Sequence, residues 1–62
     1  MKNYESYRVD FNNFRKVSKW YSTGKGANNA ADRFNSKGEH GKVYGLWYDD
    51  DNHVHQEFIR TF

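Results

Sequence analysis

The residues best equipped for chemistry form one run, Asp49-Asp50-Asp51-Asn52-His53, with His55 two positions further on. Carboxylates at this density could hold a hard cation. Imidazoles two apart on a strand share a face and could take zinc together with His40 or an aspartate. A calcium loop also needs glycine at its sixth position and glutamate at its twelfth. Counted from Asp49 these are Val54 and Arg60, and counted from Asp50 they are His55 and Thr61, so the calcium pattern fails. Exposed histidines in a polar hairpin are more often unliganded, and no metal is expected. Asp49, Asp50 and Asp51 read instead as an acidic turn that contacts a partner.

A second candidate is Thr23-Gly24-Lys25-Gly26. Backbone N–H groups at a helix start beside a lysine can hold a phosphate, which makes Gly24, Lys25 and Gly26 a weak phosphate site. The Walker spacing is absent, as is the Lys-Ser or Lys-Thr pair, and glycines at a helix start also serve simply as a flexible turn. Catalysis needs a base held against a nucleophile, or tuned carboxylates in a pocket. No motif holds His40, His53 or His55 in such a geometry, and a chain of 62 residues has little room for a shielding cavity. The expectation is a protein that is not an enzyme and needs no cofactor.

The third constellation is rings among cations. Twelve of the 62 residues are Phe, Tyr or Trp, whereas Val, Leu and Ile together number six, so the core must be built largely from rings. The elements that position them follow from periodicity. Residues 4–11 alternate, with Tyr7, Val9 and Phe11 on one side and Ser6, Arg8 and Asp10 on the other, which is a strand. Asn12-Asn13 tolerates left-handed backbone angles and predicts a two-residue hairpin into a second strand over 14–22. That register sets Phe11 against Phe14, Val9 against Lys16, Tyr7 against Ser18 and Glu5 against Trp20 on the inner side. On the outer side it sets Asp10 against Arg15, Arg8 against Val17, Ser6 against Lys19 and Tyr4 against Tyr21.

Ser22 or Thr23 can cap the helix that follows, where Ala27, Ala30, Ala31 and Phe34 fall at i, i+3, i+4 and i+7 within residues 26–35. Asn28, Asn29 and Asp32 are poor helix formers, so this helix depends on packing its alanine stripe closely on a sheet. Gly38 and Gly41 mark its stop and a surface loop. Residues 42–48 and 53–62 form a second hairpin around 49–52, with Trp47 facing Val54, Gly45 facing Gln56 and Val43 facing Phe58. Residues 53–61 also fit a helix capped by Asn52. The β-branched, ring-rich composition after a turn cluster favours the strand.

These readings give an α+β fold in the order ββαββ, a single domain over 1–62 with four antiparallel strands and one helix on one face. Tyr7, Phe11, Phe14, Trp20, Trp47 and Phe58 are expected beneath the helix. The opposite face, with Tyr4, Arg8, Arg15, Lys19, Tyr21, Tyr44 and Tyr48, is expected to meet a partner. Charge is divided along the chain: residues 1–42 carry nine Lys and Arg against four Asp and Glu, and residues 43–62 carry one against four. Such a dipole steers association without naming the associate.

A protein partner is the preferred reading, because Tyr and Arg are favoured interface anchors, and modulation or inhibition of that partner is the expected consequence. A small phage-type inhibitor that occupies a host enzyme's working surface would suit these features. The alternative is single-stranded DNA or RNA, with bases stacked on the rings and phosphates held by the cations. A second copy could cover the open face as a homodimer. The absence of cysteine predicts a reducing, cytoplasmic setting, and neither an apolar run of roughly 18 residues nor a signal-peptide pattern is seen, so no membrane is expected.

Overall fold

In the computed structural model, which describes residues 4–62, the alternating stretch becomes β1 (Ser6–Phe11), followed by β2 (Lys19–Tyr21), α1 (Gly24–Ser36), β3 (Gly41–Tyr48) and β4 (Val54–Thr61). The strands form one antiparallel sheet in the order β2-β1-β3-β4. The ββαββ order is as expected, and residues 54–61 are strand rather than helix.

The helix is defined at both ends by local chemistry. Thr23 is the N-cap, its hydroxyl oxygen accepting the Gly26 N–H at 3.1 Å. At the other end Gly38, at φ 81°, donates to the Asn35 carbonyl while Glu39 donates to that of Phe34, a Schellman closure that needs the left-handed glycine. Ala27, Ala30 and Ala31 are buried, and Ala27 and Ala31 pack on Val9 and Val43. Tyr7, Phe11, Tyr21, Phe34 and Phe62 close around this small centre. Phe11 meets Phe34 edge-on at 4.9 Å and Phe62 at 6.0 Å. Methyl-sized alanines bring the helix close, and the rings supply the apolar area that six aliphatics cannot. With 13 residues, the helix is neither long nor apolar enough to cross a membrane.

The first hairpin departs from its expected register. Tyr7 pairs with Tyr21, Arg8 with Trp20 and Val9 with Lys19, a slip of three residues. Asn12-Asn13 does not turn as a two-residue hairpin, since Asn52 is the sole non-glycine residue at positive φ among those described. Instead the Asn13 side chain takes the Arg15 N–H at 3.0 Å and its carbonyl takes the Lys16 N–H at 2.9 Å, opening a loop over 12–18. An odd slip exchanges the faces of β2. Tyr21 therefore turns to the core, Trp20 turns away from it, and Phe14 sits in the loop 92% exposed.

The second hairpin is displaced by one residue. Asp49 N–H donates to the His53 carbonyl and Asn52 N–H to that of Asp49, leaving a three-residue loop with Asn52 at φ 62°. A turn followed by a left-handed residue is the usual form of such loops. Tyr48 now pairs with Val54, Trp47 with His55 and Tyr44 with Phe58, so Phe58 lies on the face away from the helix. A bulge between Val43 and Tyr44 shifts the register again, to Val43 with Arg60. The helix lies over β1, β2 and β3; β4 joins it through the ion pair of Arg60 with Asp32 at 3.2 Å.

Candidate functional site

One layer of helix leaves the other side of the sheet open, and the corrected registers decide what occupies it. Arg8 lies at its middle, between Trp20 of β2 and Tyr44 of β3. Its guanidinium sits 5.9 Å from the Trp20 ring centre and 5.0 Å from that of Tyr44. Arg8 Nε donates to Asp10 at 2.8 Å, and a terminal nitrogen donates to the Gln56 amide oxygen at 2.8 Å. Ser18 donates to the same Asp10 oxygen at 2.6 Å, which ties the 12–18 loop to the cluster. The cation is thus held between two rings by partners on its own strand and on β4.

Beyond these polar partners the face carries large apolar side chains. Leu46 forms the floor, 5% exposed, of a trough of about 400 Å³ walled by Trp20, Tyr48, Val54 and Gln56. Trp20 is 62% exposed, Tyr48, Val54 and Phe58 are more than half exposed, and Phe58 meets Tyr44 edge-on at 6.1 Å. Large exposed rings grouped around a fixed arginine are the residue types that anchor contact surfaces.

Of the residues expected on this face, Arg8, Tyr44 and Tyr48 are there. Tyr4 is on the helix side, its ring over Gly45 and 5.7 Å and 5.9 Å from the rings of Tyr7 and Trp47. Tyr21 and Lys19 follow Tyr7 and Val9 to that side, and Arg15 lies in the 12–18 loop. The expected pairing of Asp10 with Arg15 is replaced by Asp10 with Arg8, and Lys16 pairs with Glu39 across the foot of the helix. Trp20, Val54, Gln56 and Phe58 are members that the periodicity missed. The signal for Trp20 was its place one residue from Tyr21, legible only once the loop length is known.

The acidic turn is a closed hydrogen-bonded unit. One Asp49 oxygen accepts the N–H of Asp51 and of His53, each at 2.9 Å, and the other meets His55 Nε2 at 2.7 Å. The His55 hydrogen bond, followed by the His53 N–H, holds the Asp49 carboxyl below the usual aspartate range. His55 stacks on Trp47 at 5.3 Å with 18° between the rings. Ligand atoms of Asp49, Asp51 and His53 lie within 4.8 Å of one another. His40 stands just before β3, at the opposite end of that strand from this turn, and cannot join them as a ligand. Gly24, Lys25 and Gly26 form the first turn of the helix, where Thr23 already takes the Gly26 N–H. No known protein family, curated protein or solved structure matches the chain.

Proposed function

We propose that this chain is a non-catalytic binding module that docks on another protein through the open sheet face and modulates or inhibits it by covering its surface. The observation that carries this reading is the ring platform of Trp20, Tyr44, Tyr48 and Phe58 around a pinned Arg8. Aromatic side chains and arginine give the largest binding energies at interfaces, and an arginine fixed before association loses little entropy on binding. Charge supports a protein over a nucleic acid. Lys19 and Arg15 lie off the face and Arg8 is matched by Asp10, which leaves Lys42, opposite Asp10 in the register, as the one further strand cation there to neutralise phosphates. The mechanism is steric, with Trp20 and Tyr48 desolvated at the centre and the Asp49–Asp51 turn steering approach at the rim.

The test compares capture by the native chain with capture by a Trp20→Ala, Tyr48→Ala variant and by a Lys25→Ala, Lys37→Ala variant, all shown to be folded by circular dichroism. One protein retained by the native chain and the helix variant, and lost by the sheet variant, is the expected result. Retention by both variants removes the face from consideration. Single-stranded oligonucleotides that bind with a steep linear fall of log affinity against log salt would instead assign the face to nucleic acid.

A further inference from the structure

The two most exposed large apolar side chains among the described residues stand together on the 12–18 loop, Phe14 at 92% and Val17 at 83%. Neither belongs to the core or to the open sheet face. We infer that this loop, together with the foot of the helix, docks on a bilayer surface rich in anionic phospholipid. The inference is independent of the protein-docking face proposed above and shares no residue with it.

Local bonds bring the parts to one end of the molecule. Asn12 N–H donates to the His40 carbonyl at 2.9 Å and Lys16 pairs with Glu39, so the loop is fastened to the residues that follow the helix. The cations gather there. Arg15 and Lys19 stand on either side of Val17 in sequence, and Arg33 and Lys37 lie in the last helical turn and at its cap. All four are exposed, and none pairs with a carboxylate among the described residues. The carboxylates at this end are already matched, Asp10 by Arg8 and Glu39 by Lys16. The acidic Asp49–Asp51 turn is remote, because β3 begins here at Gly41 beside Phe11 and runs away to Tyr48 before reaching it. The division of charge along the chain is therefore a division in space, and an anionic plane attracts this end first.

A trough of about 440 Å³ lies between the loop and the helix end. Phe11, Val17 and Phe34 supply its apolar wall, and Lys16, Lys19 and Lys37 its charge, with Glu39 beside Lys16. Ammonium groups around an apolar slot match a phospholipid, which joins an anionic phosphate to acyl chains. The protruding pair separates this target from others. A protein interface packs to interior density and needs a shaped pocket for each such side chain, whereas a fluid bilayer closes around them. Single-stranded nucleic acid binds by stacking on rings, and Val17 offers none. Stable docking on a membrane surface takes two signals, an apolar insertion and a basic cluster, and this end carries both. It requires no spanning segment.

The test is co-sedimentation of the chain with vesicles of phosphatidylcholine, with and without phosphatidylglycerol. The native chain is expected on the anionic vesicles alone, with binding that weakens as salt rises. A Phe14→Asn, Val17→Asn variant should lose affinity by about tenfold or more, and since both side chains are exposed it should fold as the native chain does, as circular dichroism would show. Arg15→Gln should lose about fivefold, whereas Asn29→Asp, the same change of net charge on the outer face of the helix, should lose about twofold or less. Because the chain has no native cysteine, a dye sensitive to its surroundings can be placed at Phe14→Cys or Asn29→Cys. Its emission should shift to the blue on anionic vesicles from the first position and not from the second. No sedimentation with anionic vesicles, equal losses from Arg15→Gln and Asn29→Asp, or unchanged binding of the Phe14→Asn, Val17→Asn variant would each overturn the docking. A dye at Phe14→Cys that responds to single-stranded oligonucleotides and not to vesicles would overturn it in favour of nucleic acid.

Discussion

At the scale of single residues, Arg8 and Asp49 do the most organising. Arg8 ties β1 to the other three strands by lying between the Trp20 and Tyr44 rings and bonding Gln56, so Arg8→Ala removes ring contacts and two hydrogen bonds together. Urea unfolding of Arg8→Ala should show a loss of about 1–2 kcal/mol relative to the native chain, and Arg8→Lys should recover only part of it because lysine lacks the planar fork. Asp49 closes the β3–β4 loop by accepting from Asp51, His53 and His55. Its folded carboxyl lies below the unfolded value, so its contribution is fully present above the unfolded value and is lost as pH falls through the folded one. Thermal melts of Asp49→Asn should therefore lose less stability between neutral and strongly acidic pH than those of the native chain. An equal loss in both would show that other carboxyls set the acid limb. Asn52 was legible as a turn residue, but its left-handed φ, which makes the loop three residues long, shows only in the folded chain.

At the scale of elements, periodicity reports what each segment is and turn length reports how segments meet. The alternation in β1 and the alanine stripe of the helix name their elements directly, because one face of each is set by burial against the other. Register was not legible, since it depends on how many residues the loops over 12–18 and 50–52 absorb. Side-chain hydrogen bonds from Asn13 and Asp49 decide that. Each odd displacement turned a strand over, exchanging Trp20 with Tyr21 and moving Phe58 and Val54 to the open side. The join of β1 and β3 rests on a close backbone approach at Gly41, where an added Cβ would lie 1.9 Å from the Asp10 carbonyl oxygen. Gly41→Ala should destabilise the fold by about 3 kcal/mol or more in urea unfolding, whereas Gly38→Asn, which keeps a residue tolerant of φ 81°, should cost about 1 kcal/mol or less. A mild effect at Gly41 would mean that the β1–β3 ladder is looser there than its register implies.

At the scale of the whole molecule, one helix on a four-stranded sheet gives a thin slab, 39 by 23 by 15 Å, with a helix-covered side and a bare side. That asymmetry was readable from a single alanine stripe, and it locates the candidate site before any residue of the site is known. The bare side is less basic and more aromatic than alternation suggests, because the slipped register removed Lys19 and brought in Trp20. The most direct measurement is site-specific photocrosslinking, with a photoreactive phenylalanine analogue placed in turn at Trp20, Tyr48 and Lys37 and exposed to an extract of the source cells. The expected result is one common protein adduct from positions 20 and 48 and none from 37. Adducts from position 37 equal to those from 20 and 48 would contradict the assignment of the bare sheet face as the docking surface.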